Sequence, residues 1–384
     1  MKRKNPRLHT EDSSSNHGKV VELSQKAHSL FKEKQYSLAY TLFIEAQALE
    51  PHNPYVLIGL GDTLRMLKNY PNAAQCYQKI LDKNPENLFA LRGLGDTYRS
   101  QRLHKKALLL WERYIQFRPS DIFVLTRIAD GHKSIGEHQQ ALVFYHKVLS
   151  INKGDHYALM GLADLYQKTG QDDLAIQYYE QILHKNPQLI NILTIVGNLY
   201  RRQGKHEKSR EYYEKALTLE DTNTYALYGL GHYYRWLKDY PTAISLWEKI
   251  PEQERNVDLL TRLADAYRSI GNLAAAEGYY RKNLDNNYDK FSLMGLAKVY
   301  TVRGEINEVT NCYRQLVTKE KEDGHFFAEI ALHMIKCNRQ NEVLSFYKTA
   351  CALQKNDQDI CKKLANHLEE FKLPFCCKQT ILGG

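Results

Sequence analysis

Cysteine is too sparse and too late in the chain to build a framework. Of seven, only Cys76 precedes residue 300; Cys312, Cys337, Cys351, Cys361, Cys376 and Cys377 crowd the C-terminal end. An odd count with no CxxC spacing excludes a disulfide scaffold and a zinc ribbon, predicts a reducing cytoplasm, and reads Cys376-Cys377 as exposed free thiols. No apolar run approaches the ~18 residues that a membrane-spanning helix requires. The basic start, Met1-Lys2-Arg3-Lys4, continues as NPRLHTEDSSSNHGK without an apolar h-region, which predicts no secretory leader. Chemistry-bearing motifs are also missing: GxxxxGK[ST], HExxH and GxSxG do not occur. Gly59-Leu60-Gly61 and Gly93-Leu94-Gly95 imitate the start of a dinucleotide fingerprint, but no strand precedes them and no third glycine follows. The histidines are scattered without ligand spacing, several of them (His104, His138, His206) in expected turns. No catalytic residue, metal or cofactor is expected, and the chain reads as a non-enzyme.

Net charge is +9 with a pI near 8.9. Two concentrations stand out: the first residues with Arg7, and the run Arg92, Arg99, Arg102, Lys105, Lys106, Arg113 and Arg118. A nucleic-acid domain shows a denser basic face than this.

What the chain does have is a repeat. Leu57-x2-Leu60-Gly61-x2-Leu64 returns thirty-four residues later as Leu91-x2-Leu94-Gly95-x2-Tyr98. It returns again at Leu125, Leu159, Leu193 and Leu227. Nine residues after each motif sits a small side chain (Ala73, Ala107, Ala141, Ala175, Ser209, Ala243), and four later an aromatic ring (Tyr77, Trp111, Tyr145, Tyr179, Tyr213, Trp247). Spacings of three and four put the first set on one face of a helix, and the small residue and ring mark a second helix. Gly136, Gly170, Gly204, Gly271 and Gly304 fall between the two, where a helix C-cap takes φ > 0. Pro51, Pro85, Pro119 and Pro187 close several units. A single hairpin cannot bury its apolar stripe, so the hairpins must stack.

The pattern resembles the tetratricopeptide repeat (TPR) over roughly residues 20 to 357. The resemblance implies an all-α, right-handed superhelical solenoid of about ten helical hairpins: 20–53, 54–87, 88–121, 122–155, 156–189, 190–223, 224–256, 257–289, 290–323 and 324–357. Unit 224–256 is one residue short and carries Pro251 inside its expected second helix. The last two replace the expected alanine with Val309 and Val343. Residues 1–19 read as a disordered basic and polar tail, 358–372 as a capping helix, and 373–384 as a further tail.

By the same resemblance, repeat positions two, five, nine, twelve and thirteen line a concave groove made by the first helices. Position two is aromatic, with Tyr55, Phe89, Phe123, Tyr157, Tyr225 and Phe291. Position nine is mostly acidic: Asp62, Asp96, Asp130, Asp164 and Asp265, interrupted by Asn198 and His232. Position twelve is mostly basic: Arg65, Arg99, Lys133, Arg201, Arg235 and Arg268. Asp at i and Arg at i+3 are helix neighbours and can simply pair. They can equally grip the backbone and charges of a bound peptide, arginine being the sharper half because its fork holds a carboxylate bidentately. The aromatic row has the same two readings, packing against the preceding helix or anchoring a partner. Chaperone-tail clamps of this family use Lys at position five and Asn at positions six and nine. Here position five holds Ile58, Arg92, Thr126, Met160 and Thr194, and an acidic row at nine would repel a terminal carboxylate. The expected function is a protein-binding scaffold or adaptor that seats an extended peptide or helix. A nucleic-acid or ribonucleoprotein adaptor is the alternative, and weak self-association through the C-terminal end is a further expectation.

Overall fold

The computed structural model describes residues 8–286 and 288–319. The expected tenth hairpin, capping helix, tail and the five cysteines from Cys337 onward lie outside the described residues. The chain divides into two units, Met1–Leu189 and Ile190–Gly384.

In the first unit the helices are α1 (Leu8–Lys32), α2 (Tyr36–Leu49), α3 (Pro54–Met66), α4 (Tyr70–Leu81), α5 (Leu88–Ser100), α6 (His104–Phe117), α7 (Ile122–Ser134), α8 (His138–Ile151), α9 (His156–Lys168) and α10 (Asp172–Lys185). In the second they are α11 (Ile190–Arg202), α12 (His206–Leu219), α13 (Thr224–Trp236), α14 (Tyr240–Glu248), α15 (Val257–Ser269), α16 (Leu273–Asn286), α17 (Lys290–Arg303) and α18 (Ile306–Lys319). Odd-numbered helices are the first (A) and even-numbered the second (B) helix of nine hairpins among the described residues, and no strand occurs among them. The architecture is all-α.

Two boundaries differ from the sequence reading. α1 begins at Leu8, so residues 8–19 belong to a helix rather than to a disordered tail. Low apolar content marks a segment as solvated, but a solvated extension of a packed helix has the same composition, and no proline lies between Pro6 and the buried Val20. Pro251 does not sit inside a helix: α14 stops at Glu248, and Pro251 instead opens a short 3-10 turn, Glu252–Glu254. Proline lacks the N–H a helix interior needs and pushes the preceding residue out of the α region.

The A helices start where a side chain replaces a missing backbone partner. Asn87, Asp121, Asp155, Asn223 and Asn256 each accept the N–H three residues on, at 3.0, 3.2, 2.9, 3.1 and 2.9 Å. These are N-caps, which satisfy one of the orphan donors at a helix start. Between the helices of a hairpin the chain turns through a left-handed residue: glycine at Gly136 and Gly170, but Lys34, Lys68, Arg102 and Lys238 at the equivalent place in other repeats.

Packing inside each unit centres on the B-helix ring. Tyr77 is fully buried between the A helix of its own hairpin and that of the next. A Cβ added at Gly61 would lie 2.8 Å from the Tyr77 ring, and one at Gly93 would lie 2.4 Å from it. Tyr213 is held the same way between Gly197 and Gly229. The glycines at positions six and eight therefore make room for a ring.

Candidate partner-binding face

Position nine is tied to that ring. The Tyr77 hydroxyl donates to Asp62 Oδ1 at 2.8 Å, Tyr179 to Asp164 at 2.8 Å, Tyr213 to Asn198 at 2.8 Å and Tyr280 to Asp265 at 2.6 Å; Tyr145 donates likewise to Asp130. Burial first, and then the adjacent carboxylate, push the phenols of Tyr77, Tyr145 and Tyr280 upward, so they remain donors. Position twelve reaches the same carboxylates in two repeats, Arg65 to Asp62 and Arg268 to Asp265, both at 3.2 Å. Lys133 instead reaches Asp164 of the next repeat at 3.7 Å.

Where tryptophan replaces the tyrosine, this bond cannot form and the surroundings change. Beside Trp111, Asp96 is buried and paired with Arg127, which stands at position six where most repeats have glycine. Beside Trp247, position nine is His232, packed edge-on to that indole with ring centroids 5.7 Å apart. The indole N–H of Trp247 donates to the Tyr228 carbonyl at 3.1 Å.

His232 is buried, and its pKa falls to about 3, first through burial and then through the charges of Arg262, Arg201 and Arg235. The folded state thus disfavours protonated His232. Its contribution to stability is complete above the ordinary value of 6.5 and is lost as pH falls from there toward 3. We expect wild type to lose about 1 kcal/mol at pH 5.5 relative to pH 7 from this residue. Urea titrations at both pH values should show the loss in wild type and a flatter response in His232→Phe; equal slopes would refute the assignment.

The aromatic row at position two is open. Tyr55, Phe89, Phe123 and Tyr157 in the first unit are 55%, 62%, 57% and 73% exposed, and Tyr225 and Phe291 in the second are 70% and 62% exposed. Tyr55 also packs on His28 of α1, with ring centroids 4.7 Å apart. The Arg127 guanidinium lies 3.8 Å from the centre of the Phe123 ring, and that of Arg92 lies 5.9 Å from Phe89. Two of these rings border clefts built from the same repeat positions. One, of about 590 Å³, lies between Phe89, Arg92, Tyr114, Phe117 and Arg118. The other, of about 710 Å³, is lined by Tyr225, Tyr228, Ile250, Pro251 and Glu254.

The basic run from Arg92 to Arg118 does not form one surface. Arg92 and Arg118 line the cleft, Arg113 donates to the Pro85 carbonyl at 2.8 Å, and Lys106 lies over the Tyr98 ring. Sequence reasoning passed over Arg127 and Arg262, whose signal is a basic residue at position six, each following a repeat whose ring is tryptophan. It also passed over Trp236, half exposed and stacked on His206 with ring centroids 4.2 Å apart. Cys76 and Cys312 are buried, and burial pushes both thiols up to about 11. Among the described residues no cluster of three or more His, Cys, Asp or Glu could hold a metal ion, and no helix is long and apolar enough to cross a membrane.

Sequence profiles of the tetratricopeptide repeat match residues 30–94, 68–122, 157–220, 197–253 and 259–290. The chain belongs to the tetratricopeptide-repeat family. No curated protein matches it. Among solved structures, this tetratricopeptide-repeat protein is similar to MamA, at 24% identity over 44% of this chain and 92% of that one, with a TM-score of 0.42. It is also similar to a tetratricopeptide repeat protein from Parabacteroides merdae (18% identity, 65% of this chain, 99% of that one, TM-score 0.47). A third is pilF of Pseudomonas aeruginosa (16% identity, 59% of this chain, 99% of that one, TM-score 0.46).

Proposed function

We propose that this tetratricopeptide-repeat protein is a protein-binding scaffold that seats an extended or helical partner segment on its A-helix face. One observation carries the reading: an aromatic ring is exposed at the same place in successive repeats. Large exposed rings bring much contact area at little entropic cost, and aromatic residues dominate binding hot spots. The polar groups beside them divide the work. Position-nine carboxylates are already engaged by buried tyrosines, so they hold the stack as well as facing the partner. The rings have no such duty. A preformed face of this kind also spares half the ordering cost of association.

The test is affinity capture from nuclease-treated lysate with wild type and a variant carrying Tyr55→Ala, Phe89→Ala, Phe123→Ala and Tyr157→Ala. Surface substitutions of this kind usually change stability by no more than about 0.5 kcal/mol each, so a circular dichroism melt should stay close to wild type. Proteins recovered by wild type and lost from the folded variant support the reading. Recovery of the same proteins by both removes the aromatic row from the site.

A further inference from the structure

The two units carry different charge on the equivalent face. In the first, Arg65, Arg99, Arg127 and Lys133 stand among Asp62, Asp96, Asp130 and Asp164, and three of the four cations have a carboxylate within 4 Å. In the second, Arg201 on α11, Arg235 on α13, and Arg262 and Arg268 on α15 meet only two carboxylates among the described residues. Asp258 accepts from Arg262 Nε at 2.9 Å and from the Tyr228 hydroxyl. Asp265 accepts from Arg268 at 3.2 Å and from Tyr280 at 2.6 Å. Asn198 and the neutral His232 stand at position nine, where Asp62, Asp96, Asp130 and Asp164 stand in the first unit.

That leaves two arginines over. Arg201 has a neutral partner, the Tyr213 hydroxyl. Arg235 has none: its guanidinium makes no hydrogen bond or ion pair among the described residues, and its Nε is buried. Burial first and then the charge of Arg262 pull half-buried Arg235 down, and the carboxylates of Asp265 and Asp258, already bonded to Arg268 and Arg262, oppose the shift without reversing it. A fork of five donors held in place without an acceptor is costly for the free protein and ready for an anion. Tyr225, one ring of the exposed row, lies on the same helix α13 as Arg235.

We infer that the A-helix face of the second unit receives an acidic segment of the partner polypeptide, with Arg235 holding a side-chain carboxylate and Arg201 answering a second acidic residue. The inference rests on the scaffold reading above. Carboxylates are the counter-charge that the first unit supplies at the equivalent position, Asp62 to Arg65 and Asp164 to Lys133, so the same chemistry suits Arg235 and Arg201.

The experiment is fluorescence anisotropy on the full chain with two fluorescein-labelled peptides, one alternating Glu and Tyr, the other alternating Gln and Tyr. The Glu–Tyr peptide should bind roughly tenfold more tightly at low salt, as expected for one charge-assisted contact. Arg235→Gln should remove most of that preference, leaving what Arg201 contributes, and Arg235→Lys should retain most of it. Circular dichroism of both variants guards against misfolding, and the lysine variant keeps the charge if the glutamine one fails to fold. Equal affinity of the two peptides for wild type, or an unchanged Arg235→Gln, overturns the inference. So does displacement of the peptide by inorganic phosphate as effectively as by unlabelled Glu–Tyr peptide. If the Gln–Tyr peptide binds as well as the acidic one and is lost on Tyr225→Ala, the scaffold reading stands and only the charge assignment fails. Binding of neither peptide also overturns the inference, and leaves the scaffold reading to the capture experiment.

Discussion

Truncating Tyr77 to alanine is expected to lower the unfolding free energy by about 4 kcal/mol, near the cost of removing a fully buried aromatic ring. The ring is completely inaccessible, faces Gly61 on one side and Gly93 on the other, and anchors Asp62 through its hydroxyl at 2.8 Å. Its loss opens a cavity between two backbones that cannot close without unstacking the hairpins. Tyr77→Phe separates packing from hydrogen bonding: it should cost only about 1 kcal/mol, because Arg65 still faces Asp62 at 3.2 Å. Gly93→Val attacks the same contact from the other side. Its Cβ would fall 2.4 Å from the ring, so the helix must move, at about 1–3 kcal/mol. In a repeat array each hairpin touches only its neighbours, so hydrogen exchange should accelerate first in α3, α4 and α5. The double variant should cost less than the sum, since the valine enters space the ring has left. Additive losses, or uniform loss of protection along the chain, would show that the ring is not the local keystone.

The period, the helix pairs and the residues of the candidate face were legible because they repeat at fixed offsets. Leu57, Leu60 and Leu64 announce an amphipathic helix by spacing alone, and Gly136 or Gly170 announces the turn. Lys68 and Arg102 do not, because nothing in a lysine or arginine signals a left-handed backbone. The tie between Asp62 and Tyr77 was not legible either. It joins residues fifteen apart on two different helices, a distance with no meaning along either helix, and it exists only once the hairpin closes. Yet a trace of it stood in the sequence: Asp or Asn at position nine accompanies tyrosine in five repeats, and position six changes to arginine after each tryptophan. Exposure of Phe89 or Tyr157 was beyond reach, because an aromatic residue on a helix start reads the same whether it packs or faces water.

The tryptophan exceptions lead to the second large effect. Asp96→Ala is expected to cost about 3–5 kcal/mol, because it leaves the Arg127 guanidinium, whose side chain is only 14% exposed, without its counter-charge. Burial pushes the Asp96 carboxyl up and the Arg127 guanidinium down, and the attraction between them opposes both shifts. A pair balanced in this way contributes little net stability while making each partner hard to lose alone. The double variant Asp96→Leu with Arg127→Met should therefore recover most of the loss, and can exceed wild type. Arg127 also covers the Phe123 ring at 3.8 Å, so the double variant exposes that ring further without moving the helix it stands on. Denaturant unfolding of the two singles and the double forms a cycle whose coupling term should favour the pair by several kcal/mol. A coupling near zero would mean that Asp96 and Arg127 are each satisfied by solvent, and that the arginine at position six follows tryptophan for its bulk rather than its charge.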